Sequence, residues 1–478
     1  NNHGPLHSID ISGCVALEKL DVSNNILTEL DISDNISLKT LYISGNYLSE
    51  IDLSNCANLE GLYCYGNSLS EIDIDKCSAL IQLSCGENML KSLDVSKNTA
   101  LQTLGCNSND ITAINLKNCP ALKRLNISHN RIQSLDLSGC PELESLAEND
   151  ITGCPLIMLD ISGCAKIKDL HIYSPGILRK LKADGCTSLA SIICFTKSLD
   201  ILSVNGCTSL MSLDCRNNML TALDVGTCTG LRDLHCSGNR LEYLDVSGKT
   251  SLEYLLCGGN KLRGLKVSGC GALKTLYCYK NMLSELDLSG CGNLHSLECY
   301  ENNLATLNLH GKISYYNGPD LYGQTISGMT LSENGGHDTP YHFDFRNLMS
   351  ETDTANISLV QGRKGYDKVK TVLEGGIAYF EERPTSVEYR YDTLKKFAGV
   401  EEDSKYLMSV TAEFSELETI PQEAPKITLD TLPDAVVGEV YDQTITFTGT
   451  APVTWTLTEY DREILSLTAG YSSRPFSK

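Results

Sequence analysis

The sequence predicts a repeat solenoid with a parallel β-sheet on its concave face, followed by all-β modules. Three observations carry that prediction. A leucine-type residue opens a four-residue unit every 10 or 11 residues, cysteine and asparagine recur at fixed places in those units, and the pattern stops after Leu309. Leu6, Leu17, Leu27, Leu38, Leu48 and Leu59 begin the series, which runs on to Leu304. Steps of 10 and 11 make a true period of 21. A fixed period of that length marks stacked units that share one core, because no single unit can bury its own leucines.

One half of the period reads L-x-x-L-x-C-x-x-N-x, as in Leu273, Leu276, Cys278 and Asn281. The other half, L-x-x-L-D-[VIL]-S-x-C-x-x, is shown by Leu283, Leu286, Asp287, Leu288, Ser289 and Cys291. These motifs resemble the leucine-rich repeat, and within it the nested 21-residue class of bacterial repeats, over roughly Leu6 to Ile313. The resemblance implies a horseshoe or arc of about 14 turns. At about 4.8 Å per strand the sheet would be roughly 65 Å long. The register breaks once, between Leu143 and Ile167, where 24 residues replace 21 and Glu148 falls on a normally apolar place. A three-residue insertion there predicts a bulge or bent turn.

In the strand half, period-2 alternation sends Leu and Cys inward and the residues between them onto an open face. The asparagine of that half (Asn46, Asn67, Asn88, Asn109, Asn130, Asn218, Asn239, Asn260, Asn281, Asn302) is expected to be buried and bonded to backbone. Asp-x-Ser in the other half, as at Asp52/Ser54 and Asp136/Ser138, suits Asx- and Ser-type turns on the outer arc.

The chain holds 21 cysteines, an odd number, in a protein too large to need a disulfide scaffold. They fall in two columns. One runs through Cys64, Cys85 and Cys106 and resumes from Cys194 to Cys299; the other closes the Asp-x-Ser half from Cys14 to Cys291. Ile43, Val22 or Asn hold equivalent places, which points to packing or turn bonding by small buried thiols. Parallel side chains do not give the disulfide dihedral, and no C-x-x-C zinc spacing occurs. Reduced, inert ladders are therefore expected.

Recognition is expected on the open face, where aromatic residues gather. The candidate ligand-binding residues are Tyr42, Tyr63 and Tyr65 toward the N-terminal end, His171, Tyr173 and Phe195 in the middle, and His235, Tyr277, Tyr279 and Tyr300 beyond. Tyrosine supplies large contact area at low entropic cost. It is also a good strand residue, so strand propensity alone accounts for some of it.

After the period ends, residues 314–478 contain no Cys and carry 26 acidic against 14 basic side chains. Short alternating runs such as Tyr341–Phe345 and Ser386–Tyr391 predict a small antiparallel β-sandwich over 314–420 that also caps the solenoid of 1–313. Beyond the Pro-bearing linker Ile420–Pro425, residues 425–478 resemble the opening of a bacterial immunoglobulin-like module, with Trp455 as its core aromatic. The closing half of that pattern is missing.

No nucleophile elbow, zinc-protease helix, phosphate loop or dinucleotide fingerprint occurs. His337, Asp338, His342 and Asp344 form a local cluster that reads as a polar loop entering a strand. Some bacterial leucine-rich-repeat effectors carry a Cys-dependent ubiquitin-ligase domain; the absence of Cys after Cys299 argues against that here. A net charge of −21 disfavours nucleic acid, and no apolar run is long enough to enter a membrane.

Together these readings predict a non-enzymatic, monomeric bacterial protein without metal or cofactor, secreted or at the cell surface. Export would use a signal peptide not present in this chain, since Asn1 to Pro5 carry none of its features. Its partner is expected to be a protein on a host or neighbouring cell, met by adhesion through the concave face. A glycan ligand and a ligand-free structural stalk are the alternatives.

Overall fold

A computed structural model of the chain describes residues 5–173, 177–307, 324–329, 332–333, 341–355, 357–392, 407–414, 426–427 and 447–448. It divides into two compact units, 1–414 and 415–478. Most of the expected immunoglobulin-like module, Trp455 included, lies outside the described residues. Only the two-residue strands Lys426–Ile427 and Phe447–Thr448, paired antiparallel, are described there.

The first unit begins as a parallel-stranded solenoid of about 13 turns, against the 14 expected. In the strand half of most turns a three- or four-residue strand places one leucine or isoleucine inward between more open neighbours, as in Lys19–Asp21 and Asp233–His235. Successive turns align leucine on leucine, as Leu62 on Leu83 and Leu255 on Leu276. Six such strands, from Lys19–Asp21 to Arg124–Asn126, make one sheet; seven, from Asp169–Ile172 to Ser296–Glu298, make another. Their leucines, isoleucines and cysteines form one continuous buried core.

The second half of the turn is not all turn. Ser92–Asp94 pairs with Ala113–Asn115, a four-stranded ladder joins Ser134–Asp136 to Ile201–Ser203, and Tyr243–Asp245 pairs with Gly264–Lys266. Here the L-D-[VIL] segment alternates as the L-x-C segment does, so it can extend into a second, intermittent sheet. The Asp-x-Ser turn follows as expected: the Asp136 carboxylate accepts the Ser138 N–H at 3.0 Å and its hydroxyl at 2.7 Å. Asp52 and Asp287 accept the N–H of Ser54 and Ser289, both at 2.9 Å.

Asparagine stitches the first half together. The Asn239 side chain accepts the Leu220 N–H at 3.1 Å and donates to the carbonyls of Cys215 and Cys236, each at 3.0 Å. Each of those carbonyls takes two amides, one from its own turn and one from the next. Cys236 O, for example, accepts from Asn239 and Asn260. The residue before the asparagine turns left-handed, with glycine at positions 45, 66, 238 and 259 and Asn24, Glu87 or Lys280 elsewhere.

The irregular turn contains a short helix, Glu148–Ile151, rather than a bulge. The Asp150 carboxylate accepts the Ala147 N–H at 2.8 Å, and the Thr152 hydroxyl donates to Glu148 O at 2.9 Å. The three inserted residues are absorbed here, and the stack resumes because Ile127 and His129 donate to the carbonyls of Asp150 and Thr152. Cys154 takes the ladder asparagine's place and points its thiol at Ile127 O, 3.2 Å away.

Past the solenoid, Gln324–Met329 opens a five-stranded sheet that faces a four-stranded one. Phe343, Phe345, Phe380, Tyr389 and Phe414 pack between them edge to face. The sheets are not wholly antiparallel, because Gln324–Met329 runs parallel to Leu407–Phe414. This layer closes the end of the solenoid by imitation. Gln324 accepts the Leu304 N–H at 3.0 Å and donates to Cys299 O at 2.8 Å, as a further ladder asparagine would. Tyr389 adds a bond to Ala305 O at 3.0 Å.

Candidate functional site

Strand alternation places the candidate residues in two outward columns, one on the strand and one just after it. Tyr42, Tyr63, His171, His235 and Tyr277 lie on first-half strands; Tyr65, Tyr173, Phe195, Tyr279 and Tyr300 follow their strands by one or two residues. All ten reach the face, most of them half-buried because they pack on one another. The two most open are Tyr173 at 46% and Tyr65 at 37% exposure.

They form three groups. Tyr42 and Tyr63 stack in parallel with ring centres 4.5 Å apart, and the Lys19 ammonium sits 5.1 Å over Tyr42. Tyr279 and Tyr300 stack at 4.9 Å. Tyr279 lies flat over Gly258, where a Cβ would meet the ring at 2.6 Å, so glycine is what admits the tyrosine. Ser296 donates to the Tyr277 hydroxyl at 3.3 Å.

The middle group is continuous across four turns. His171 meets Tyr173, and Tyr173 meets Phe195, each at 6.0 Å and tilted. The Arg216 guanidinium lies 5.1 Å over Phe195 and is held by Asp214 through two bonds, of 3.1 and 2.8 Å. His235 approaches the same carboxylate at 3.5 Å. Asp214 is only 8% exposed. Burial would raise its carboxyl, but hydrogen bonds with His235 and Arg216 outweigh burial and hold it below the usual carboxylate value. The strip therefore offers two aromatic faces and a cation whose rotamer is already fixed. That arrangement cuts the entropy lost on binding.

Reading the sequence missed Asp214 and Arg216. Their signal was available: both occupy the outward columns, two residues apart, in the turn between Phe195 and His235. At one border of the face Glu253 pairs with Arg232 at 2.6 Å and with Lys274. Beside the strip, where the helix interrupts the first-half strands, a cavity of about 90 Å³ is lined by Ile151, Cys154, Leu159, Ile172 and Thr196, among others.

The polar cluster near His342 does not assemble. Asp344 caps the turn Phe345–Asn347 and is clasped by Arg346, while His337 and Asp338 lie outside the described residues. Among the described residues no three His, Cys, Asp or Glu side chains are grouped to hold a metal ion. No helix among them is long and apolar enough to cross a membrane.

The cysteines are all free thiols, Cys14 exposed, Cys154 half-buried and the rest buried. Burial pushes the thiols of Cys64 and Cys236 up to about 12. In the second column the thiols donate to backbone one turn back, Cys207 to Ala183 O at 3.0 Å and Cys270 to Val246 O at 3.1 Å. Asn98 and Lys249 occupy the same column and do likewise, Asn98 to Ile74 O at 3.1 Å and Lys249 to Cys228 O at 3.2 Å.

Residues 37–59 match the Leucine Rich Repeat family. A comparison with curated proteins finds no match. Among solved structures, the chain is similar to the functional domain of InlJ from Listeria monocytogenes, whose description includes a cysteine ladder. The two are 25% identical over 85% of this chain and 88% of that one, with a TM-score of 0.45. An internalin, InlF, of the same organism is 22% identical over 61% and 83%, at 0.34. YopM, a leucine-rich effector of Yersinia pestis, is 22% identical over 62% and 81%, at 0.35. The turns that carry the aromatic strip repeat the period of the matched segment at residues 37–59.

Proposed function

We propose that the protein is a non-enzymatic recognition protein of a bacterial surface or secretion, which binds a partner protein across the first-half face of its solenoid. The observation that carries this reading is the strip from His171 to His235, with its stacked rings and its arginine fixed by Asp214. Aromatic residues and arginine are the types that dominate binding energy at protein interfaces. The β-layers would cap the repeat array and hold it away from the cell that displays it. Adhesion to a host or neighbouring cell is the role such a display serves.

The test uses labelled full chain on target cells, comparing wild type with Tyr173→Ala/Phe195→Ala and with Arg216→Ala. The double variant should bind at least about 30-fold more weakly, as expected when a hot spot of 2 kcal/mol or more is removed. Undiminished binding by both variants would overturn the assignment of the strip. Binding that survives proteolysis of the target but not its deglycosylation would replace the protein partner with a glycan.

A further inference from the structure

We propose that the first thiol column is a binding site for soft divalent cations that take two sulfur ligands in a straight line, with mercury(II) as the representative. The column from Cys194 through Cys215, Cys236, Cys257 and Cys278 to Cys299 occupies six successive turns of one parallel sheet in unbroken register. The backbone that carries each sulfur is fixed in register. The N–H of Cys215, Cys236, Cys257 and Cys278 donates to the residue just before the next cysteine, at 2.8 or 2.9 Å. Neighbouring thiols are therefore held at the strand repeat of about 4.8 Å. Two metal–thiolate bonds of about 2.3 Å placed end to end span nearly the same distance. That spacing is too long for a disulfide and wrong for a tetrahedral site, but it suits a collinear S–metal–S bridge.

Charge selects the same class of ion. All six cysteines lie in an apolar core at 0% exposure. A tetrathiolate zinc centre would leave two negative charges in that apolar core, which is costly. A divalent ion on two thiols leaves none. Two S–H and two metal–chloride bonds break, two S–metal bonds form, two protons and two chloride ions leave to solvent, and no electron is transferred. Thiolate softness sets the preference over calcium or magnesium. Isoleucine closes the shorter run Cys64–Cys106 at both ends, with Ile43 before it and Ile127 after it, so the column also tolerates branched apolar side chains.

The probe is mercury(II) chloride, titrated into full chain carrying Cys14→Ser and Cys154→Ser to remove the accessible thiols. In that background Cys215→Val/Cys257→Val/Cys299→Val leaves three isolated thiols. Cys236→Val/Cys257→Val/Cys278→Val also leaves three, but keeps the neighbours Cys194 and Cys215. Uptake should fall by three equivalents in the first variant and by two in the second. X-ray absorption on the unsubstituted column should show two sulfurs in line. Equal uptake by both variants would overturn the proposal, as would three or four sulfur ligands per metal. If a variant does not fold, circular dichroism during titration of the unsubstituted column decides: metal taken up only as the fold is lost also overturns it.

Discussion

In the first half of each repeat an amide such as Asn239 joins two turns through three hydrogen bonds; in the second half a thiol such as Cys207 makes one. Both reach a carbonyl 24 residues back in the chain. The amide brings two donors and an acceptor, so it also satisfies the N–H of Leu220, which has no other partner in the turn. A thiol is a weak donor and packs chiefly as a small hydrophobe. Asn35, Asn98 and Lys249 stand in for it without disturbing the stack. The first half is a bonded seam, while the second is a packed seam with a donor attached.

Asn239→Ala should break that contrast most severely. It orphans the buried Leu220 N–H and halves the bonding of two carbonyls, a loss of about 4 kcal/mol by urea unfolding. A loss under about 1 kcal/mol would mean that water enters and replaces the amide. Cys207→Ala should cost only about 1 kcal/mol, since a weak bond and one sulfur are removed. Cys207→Asn, imitating Asn98, should come within that margin of wild type. The smallest effect is expected on the outer arc.

There the Ser138 hydroxyl and N–H lower the Asp136 carboxyl, and Ser96 does the same for Asp94. A lowered carboxyl stabilises the fold above its unfolded pKa, and that contribution is lost as pH falls through the folded value. Midpoint temperature should therefore drop on acidification below about pH 4. It should drop less steeply in Asp94→Asn/Asp136→Asn. A variant profile parallel to wild type would show that these turns do not drive acid sensitivity.

The leucine period, the inward cysteines and the bonded asparagines were legible because each is a positional signal repeated many times. Two features were not. The L-D-[VIL] strands were hidden because the Asp-x-Ser turn beside them is the stronger local signal and short strands need neighbours in register. The helix Glu148–Ile151 was read only as excess length, since four residues hold too little periodicity to announce a helix. For the face, single aromatics could be placed from alternation alone. Alternation also puts Asp214 and Arg216 in those columns, but the clasp between them rests on the burial of Asp214, which appears only when the neighbouring turns are stacked.

In a linear array each turn is stabilised by its neighbours, so stability adds along the chain and cooperativity can be cut at a weak coupling. Around the helix the first-half strands lose a rung, a thiol at Cys154 and a hydroxyl at Ser198 replace ladder amides, and a cavity remains. The second-half strands Ser134–Asp136 to Ile201–Ser203 cross the same stretch unbroken. Coupling between turns is therefore weakest on the first-half edge, and local opening there would part the rungs on the side that carries His171, Tyr173 and Phe195.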